Sequence, residues 1–122
     1  MPHLNLEYSD NLAELKVELV LLRLNQALVA SGQFADELDI KSRAQGFGHF
    51  RVGISPLSRG FVHVRLAMLA GRSAEVKRQL SAALLEVLRE TVVARPGMDI
   101  QLCAEILDIE RESYAKLRLP AD

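Results

Sequence analysis

Read from its second residue, the chain describes the same unit twice. PHLNLEY at residues 2–8 alternates, with Leu4, Leu6 and Tyr8 facing one way and His3, Asn5 and Glu7 the other, which predicts a strand. A helical stretch follows. Asn11 and Glu14 stand at capping-box spacing, with Ser9 and Asp10 as competing caps. Leu12, Leu15, Leu19 and Leu22 then recur at helical intervals, Gly32 supplies a stop, and a second extended segment covers residues 38–44. From residue 60 the pattern returns. Val62, Val64, Leu66 and Met68 alternate with Phe61, His63 and Arg65, and Ser73 is placed as a helix N-cap. Val76, Leu80, Leu84, Val87 and Thr91 form the next helical stripe, ARPG at 94–97 ends it, and MDIQLCAEI reads as a strand.

The two halves keep step. The helix starts, Asn11 and Ala74, lie 63 residues apart; the stops, Gly32 and Gly97, 65; the following strands, at Leu38 and Asp99, 61. Such agreement predicts a duplicated β-α-β unit, with halves at about 2–45 and 60–108 in a single domain spanning 1–122. A right-handed crossover makes each strand pair parallel. The product is an α+β fold, a four-stranded mixed sheet with two helices on one face. A ferredoxin-like domain has a similar order of elements, and the pattern alone leaves both open. The face opposite the helices carries mixed residues, several apolar or neutral, which favours an oligomer that covers it.

Composition narrows the function. A net charge of −1 gives no nucleic-acid footprint. The N-terminus shows no signal-peptide pattern and no apolar run reaches membrane-helix length, so a cytoplasmic protein without a membrane partner is expected. A single cysteine, Cys103, excludes an internal disulfide and suits a reducing compartment. His3, His49 and His63 show no paired spacing and no accompanying ligand set, so a metal site is not expected. His63 reads as packed or hydrogen-bonded within the sheet, and Phe47 and Phe50 as core residues. Ser42, Ser73 and Cys103 lack a nearby base in sequence.

PHLNLEYSDN at the start, IKSRA at 40–44, FVHVRL at 61–66 and GRSAEVKRQ at 71–79 together resemble the 5-carboxymethyl-2-hydroxymuconate isomerase family. This family belongs to the tautomerase superfamily, with 4-oxalocrotonate tautomerase and macrophage migration inhibitory factor. The resemblance runs in register over roughly residues 2–95. It implies a tautomerase-like homotrimer with inward-facing sheets and active sites near subunit interfaces. It also implies loss of the initiator methionine, with the proline as general base. The implied reaction is cofactor-independent keto–enol isomerisation of a 2-hydroxymuconate-like carboxylate, a step in aromatic-acid breakdown.

The chemistry is coherent. Moving a double bond in a 2-oxo acid needs a base with a pKa near the working pH, within reach of two carbons. A proline amine is too basic unless burial and nearby cations disfavour its charged form. Pro2 is therefore the candidate catalytic residue, on condition that Met1 leaves, because an amide nitrogen cannot be a base. Arg72 precedes the Ser73 cap, where a helix N-terminus already favours an anion. Lys41 and Arg43 lie two apart and share a strand face, which suits a substrate with several carboxylates. These three are the candidate substrate-binding residues. The family pattern at 40–43 is IRSR, so Lys41 keeps charge but loses the arginine fork. The tail EILDIERESYAKLRLPAD also departs from the family's ELxPxxNxKxNN, leaving Tyr114, Lys116 and Arg118 unplaced. A trimeric tautomerase-fold binding module without turnover is the alternative reading.

Overall fold

A computed structural model describes residues 1–121. The elements run β1 (His3–Ser9), α1 (Val17–Ala30), β2 (Lys41–Phe47), β3 (Arg59–Leu69), α2 (Ala74–Thr91) and β4 (Asp99–Ile109), with short 3₁₀ turns at Glu37–Asp39 and Arg111–Ser113. The sheet order is β2-β1-β3-β4. β1 is parallel to β2 and β3 to β4, while β1 and β3 pair antiparallel at the centre. In each half, then, the crossover returns its second strand beside the first. A split β-α-β arrangement of the ferredoxin type separates those strands, so the duplicated tautomerase-like reading holds.

Alternation decides which face is buried. Leu4 and Leu6 on β1 and Val62, Val64, Leu66 and Met68 on β3 are at most 1% exposed. They meet Val20, Leu24 and Leu28 of α1 and Leu80, Leu84 and Leu88 of α2 in one core. α2 follows its sequence pattern: Ser73 Oγ accepts from Val76 N at 3.2 Å, and the stripe from Leu80 to Leu88 is buried.

α1 departs from its pattern. Asn11 is not a cap; its Nδ2 donates to Arg59 O at 2.9 Å and ties the segment after β1 to the start of β3. Leu12 and Leu15 reach the core from a turn, with Leu15 N bonding Leu12 O. The helix begins only at Val17, after Lys16, which offers no side-chain cap. Its buried stripe is therefore Val20, Leu24 and Leu28, leaving Leu19 and Leu22 about half exposed. β2 also begins later than its pattern suggests, because Asp36 caps the Glu37–Asp39 turn by accepting from Leu38 N. On this strand Gly46 is required by packing, since a Cβ there would stand 2.8 Å from the Tyr8 ring.

The other sheet face carries half-buried His3, Asn5, Glu7, Phe61, His63, Arg65 and Ala67, uncovered by either helix. His63 Nε2 lies 2.6 Å from Glu105 Oε2 across the parallel pair, so the ring packs within the sheet as its position suggests. Phe50 is not a core residue. It packs edge-on against Phe61, 6.0 Å between ring centroids, and neither it nor Phe47 joins the cluster beneath the helices.

Candidate active site at the head of the first strand

Register gathers four distant segments at one end of the sheet. His3 pairs with Lys41 at the start of β2 and with Ala67 near the end of β3, and Ala67 in turn with Leu107 on β4. The turn after β3 and the tail after β4 leave from this end. Pro2 sits at its centre, buried, and its carbonyl accepts from Lys41 N at 3.2 Å.

Three of the cations named from the sequence converge here. Lys41 and Arg43 share a face of β2, as their spacing required. Lys41 Nζ donates to Asp39 O at 2.6 Å, and Arg43 Nη2 lies 3.0 Å from His3 Nδ1. Arg72 is fixed more tightly. Its Nη2 donates to Gln33 O at 2.7 Å and its Nη1 to Leu69 O at 3.3 Å, while the guanidinium lies 5.2 Å from the centroid of the Phe34 ring. Of its five N–H hydrogens, three remain for an anion.

The tail supplies what sequence reasoning missed. Arg111 Nε donates to Ala70 O at 2.5 Å, Tyr114 Oη lies 2.9 Å from His3 Nε2, and Lys116 Nζ bonds Asp39 Oδ1 at 2.6 Å. Three ties lash the segment across the sheet end. Tyr114 and Lys116 are two apart in extended chain, so both point to the same side. That spacing was the available signal, but nothing local says what the tail lies against. Asp39 carried no signal at all.

The electrostatics follow from this crowding. Burial lowers the Met1 amine below its ordinary range; Asp39 opposes the shift, and Lys41, Lys116 and Arg72 add to it. Burial, then Lys41 and Arg43, likewise lower His3. Burial and Lys116 lower Lys41, against the pull of Asp39. Its hydrogen bond from Lys116 holds the Asp39 carboxyl below the usual range. An amine here is pushed toward its neutral form, beside cations that suit an anion.

A groove of about 690 Å³, lined by Arg59, Arg89, Val92, Met98 and Ile100, lies at the far end of the sheet. Among the described residues no group of three or more His, Cys, Asp or Glu is placed to hold a metal ion. No helix there is long and apolar enough to cross a membrane.

A family model described as 5-carboxymethyl-2-hydroxymuconate isomerase matches residues 2–117. Among solved structures the chain is similar to a 5-carboxymethyl-2-hydroxymuconate isomerase from Deinococcus radiodurans R1. Identity is 35%, TM-score 0.87, and the match covers 97% of this chain and 90% of that one. At 20% identity it shares the fold of a 5-carboxymethyl-2-hydroxymuconate delta-isomerase, TM-score 0.74, covering 97% and 88% of the two chains. At 19% identity it shares that of a fused 4-OT wild type described as a symmetric trimer, TM-score 0.66, covering 94% and 93%. No curated protein sequence matches.

Proposed function

The chain belongs to the 5-carboxymethyl-2-hydroxymuconate isomerase family, isomerases of the tautomerase superfamily, and on that premise we propose that Pro2, freed of Met1, is its general base. The substrate class is a 2-hydroxymuconate-like oxo/enol carboxylate, and the reaction moves one proton between two carbons without a cofactor. The observation that carries this reading is the placement of Pro2, buried at the head of β1, where burial lowers the neighbouring half-buried Met1 amine and Lys41, Lys116 and Arg72 add to the shift against Asp39. A secondary amine left at Pro2 by loss of Met1 stands one residue further into the fold, among the same cations and the same Asp39. It is thereby brought toward the working pH, where a base is most effective.

The cations then serve twice. Arg43, Arg72 and the ammonium groups of Lys41 and Lys116 receive the substrate carboxylates, and their field keeps the proline nitrogen neutral. A homotrimer fits this reading, because the sheet face that neither helix covers calls for a neighbouring subunit. One observation favours the alternative, a binding module without turnover: both lysines are already engaged by Asp39.

Intact mass combined with enolisation kinetics separates the two. Protein lacking Met1 should turn over a 2-hydroxymuconate-type or phenylpyruvate-type substrate, whereas protein that retains it should be inactive. Equal activity in both forms counts against the proline base. Retention of Met1 on the protein purified from its own host selects the binding module.

A further inference from the structure

The Pro2 end holds a hydrogen-bond chain whose direction follows from the donor chemistry. Arginine has only donors, so Arg43 Nη2, 3.0 Å from His3 Nδ1, gives its hydrogen to that nitrogen. Nδ1 therefore carries no proton, and the neutral imidazole holds its hydrogen on Nε2. Nε2 lies 2.9 Å from Tyr114 Oη, so the ring donates and the hydroxyl accepts. The phenol's own hydrogen is turned away from His3, and among the described residues no acceptor takes it. The two rings also pack edge-on, 6.0 Å between centroids, which keeps Tyr114 against His3.

Lys41, Arg43, Arg72 and Lys116 already supply the charge that carboxylates require. Tyr114 is different in kind, a neutral donor whose hydrogen points away from His3, which Arg43 also contacts. Such a donor suits an oxygen that gains charge only during reaction. When a base removes a proton from the carbon next to a 2-oxo group, the C–H pair becomes the new C=C bond. The carbonyl π pair then moves onto oxygen. A hydrogen bond aimed at that oxygen is stronger in the transition state than in the ground state.

Resting on the reading of Pro2 as base, we propose that Tyr114 is a catalytic hydrogen-bond donor to the substrate's 2-oxo oxygen, and that His3 is the positioning residue that turns its hydroxyl outward. The proton leaves carbon for the Pro2 nitrogen and returns from it to the second carbon. Tyr114 bonds the oxygen throughout and undergoes no net change.

Kinetics on Met1-free protein test this. Tyr114→Phe should lower kcat about 100-fold, the scale of losing one oxyanion donor, with KM within about threefold. A kcat within threefold of the parent overturns the proposal, as does a rise in KM alone, which marks a carboxylate contact. His3→Gln, which keeps an N–H toward Tyr114, should recover part of what His3→Ala loses; equal loss in both counts against the positioning role. ¹⁵N shifts of His3 at pH 7 give a readout independent of turnover. They should report a bare Nδ1, and a protonated Nδ1 contradicts the chain. Pro2→Ala is the separate arm. Normal turnover there overturns the proline reading, while the His3 tautomer and the Tyr114→Phe loss still decide the case for Tyr114.

Discussion

Among the described residues Asp39 is the one carboxylate bonded to a lysine of the cationic cluster, Lys116, while its backbone carbonyl takes Lys41, and its charge works against the cluster. Its charge favours a protonated amine at the N-terminus while Lys41, Lys116 and Arg72 oppose one. Asp39→Asn should therefore move the amine's titration to lower pH, and the ascending limb of the kcat/KM profile with it; a shift to higher pH contradicts this. His3 gives a second pH signature. Its folded pKa lies below the unfolded value, so between the two the unfolded chain binds more protons. Stability should fall as pH drops from about 6.5 toward the folded value and then level off. The groups facing His3 are Lys41 and Arg43 from β2, the Met1 amine, and Tyr114 and Lys116 from the tail. Comparing urea midpoints of the parent and His3→Gln from pH 7.5 to 5 isolates its share, and identical slopes contradict the assignment. Pro2, Lys41, Arg43 and Arg72 could be named as candidates from the family resemblance and from their charge, and the fold adds that they stand at one end of the sheet. His3, Asp39, Tyr114 and Lys116 could not be placed in this way, because their contacts with one another span 77 and 111 positions of chain.

The two helices show when a local pattern can be trusted. In α2 the cap, the stripe and the stop agree, and the helix forms where they place it. Ser73→Ala should cost about 1 kcal/mol by denaturant unfolding, the usual worth of an N-cap. Leu84→Ala, at 0% exposure, should cost about 2–5 kcal/mol. Values near zero for either would mean that α2 is not held as described. In α1 the capping spacing of Asn11 and Glu14 competed with a tertiary bond, Asn11 to Arg59 O, and lost. Leu12 and Leu15 do pack on the core, but from a turn, so the helical stripe expected behind them lies on another face.

Duplication made the molecule's architecture readable before any contact was known. It set four strands, two helices and their parallel pairs, and pairing the two halves through β1 and β3 gives the rest. The site was less readable because it forms where the strands of the first half begin, those of the second half end and the tail crosses. Removing the chain after Ser113 should leave circular dichroism nearly unchanged, since the tail adds nothing to the core. It should reduce turnover at least as much as Tyr114→Phe, and full activity would show that the strap is dispensable. The central claim is that an amine at Pro2 moves the proton. It is tested most directly by steady-state kinetics of Pro2→Ala in protein whose mass shows Met1 absent. A fall in kcat of about 10²–10⁴-fold, the range for loss of a general base, is predicted. Unchanged kcat in that protein would contradict it.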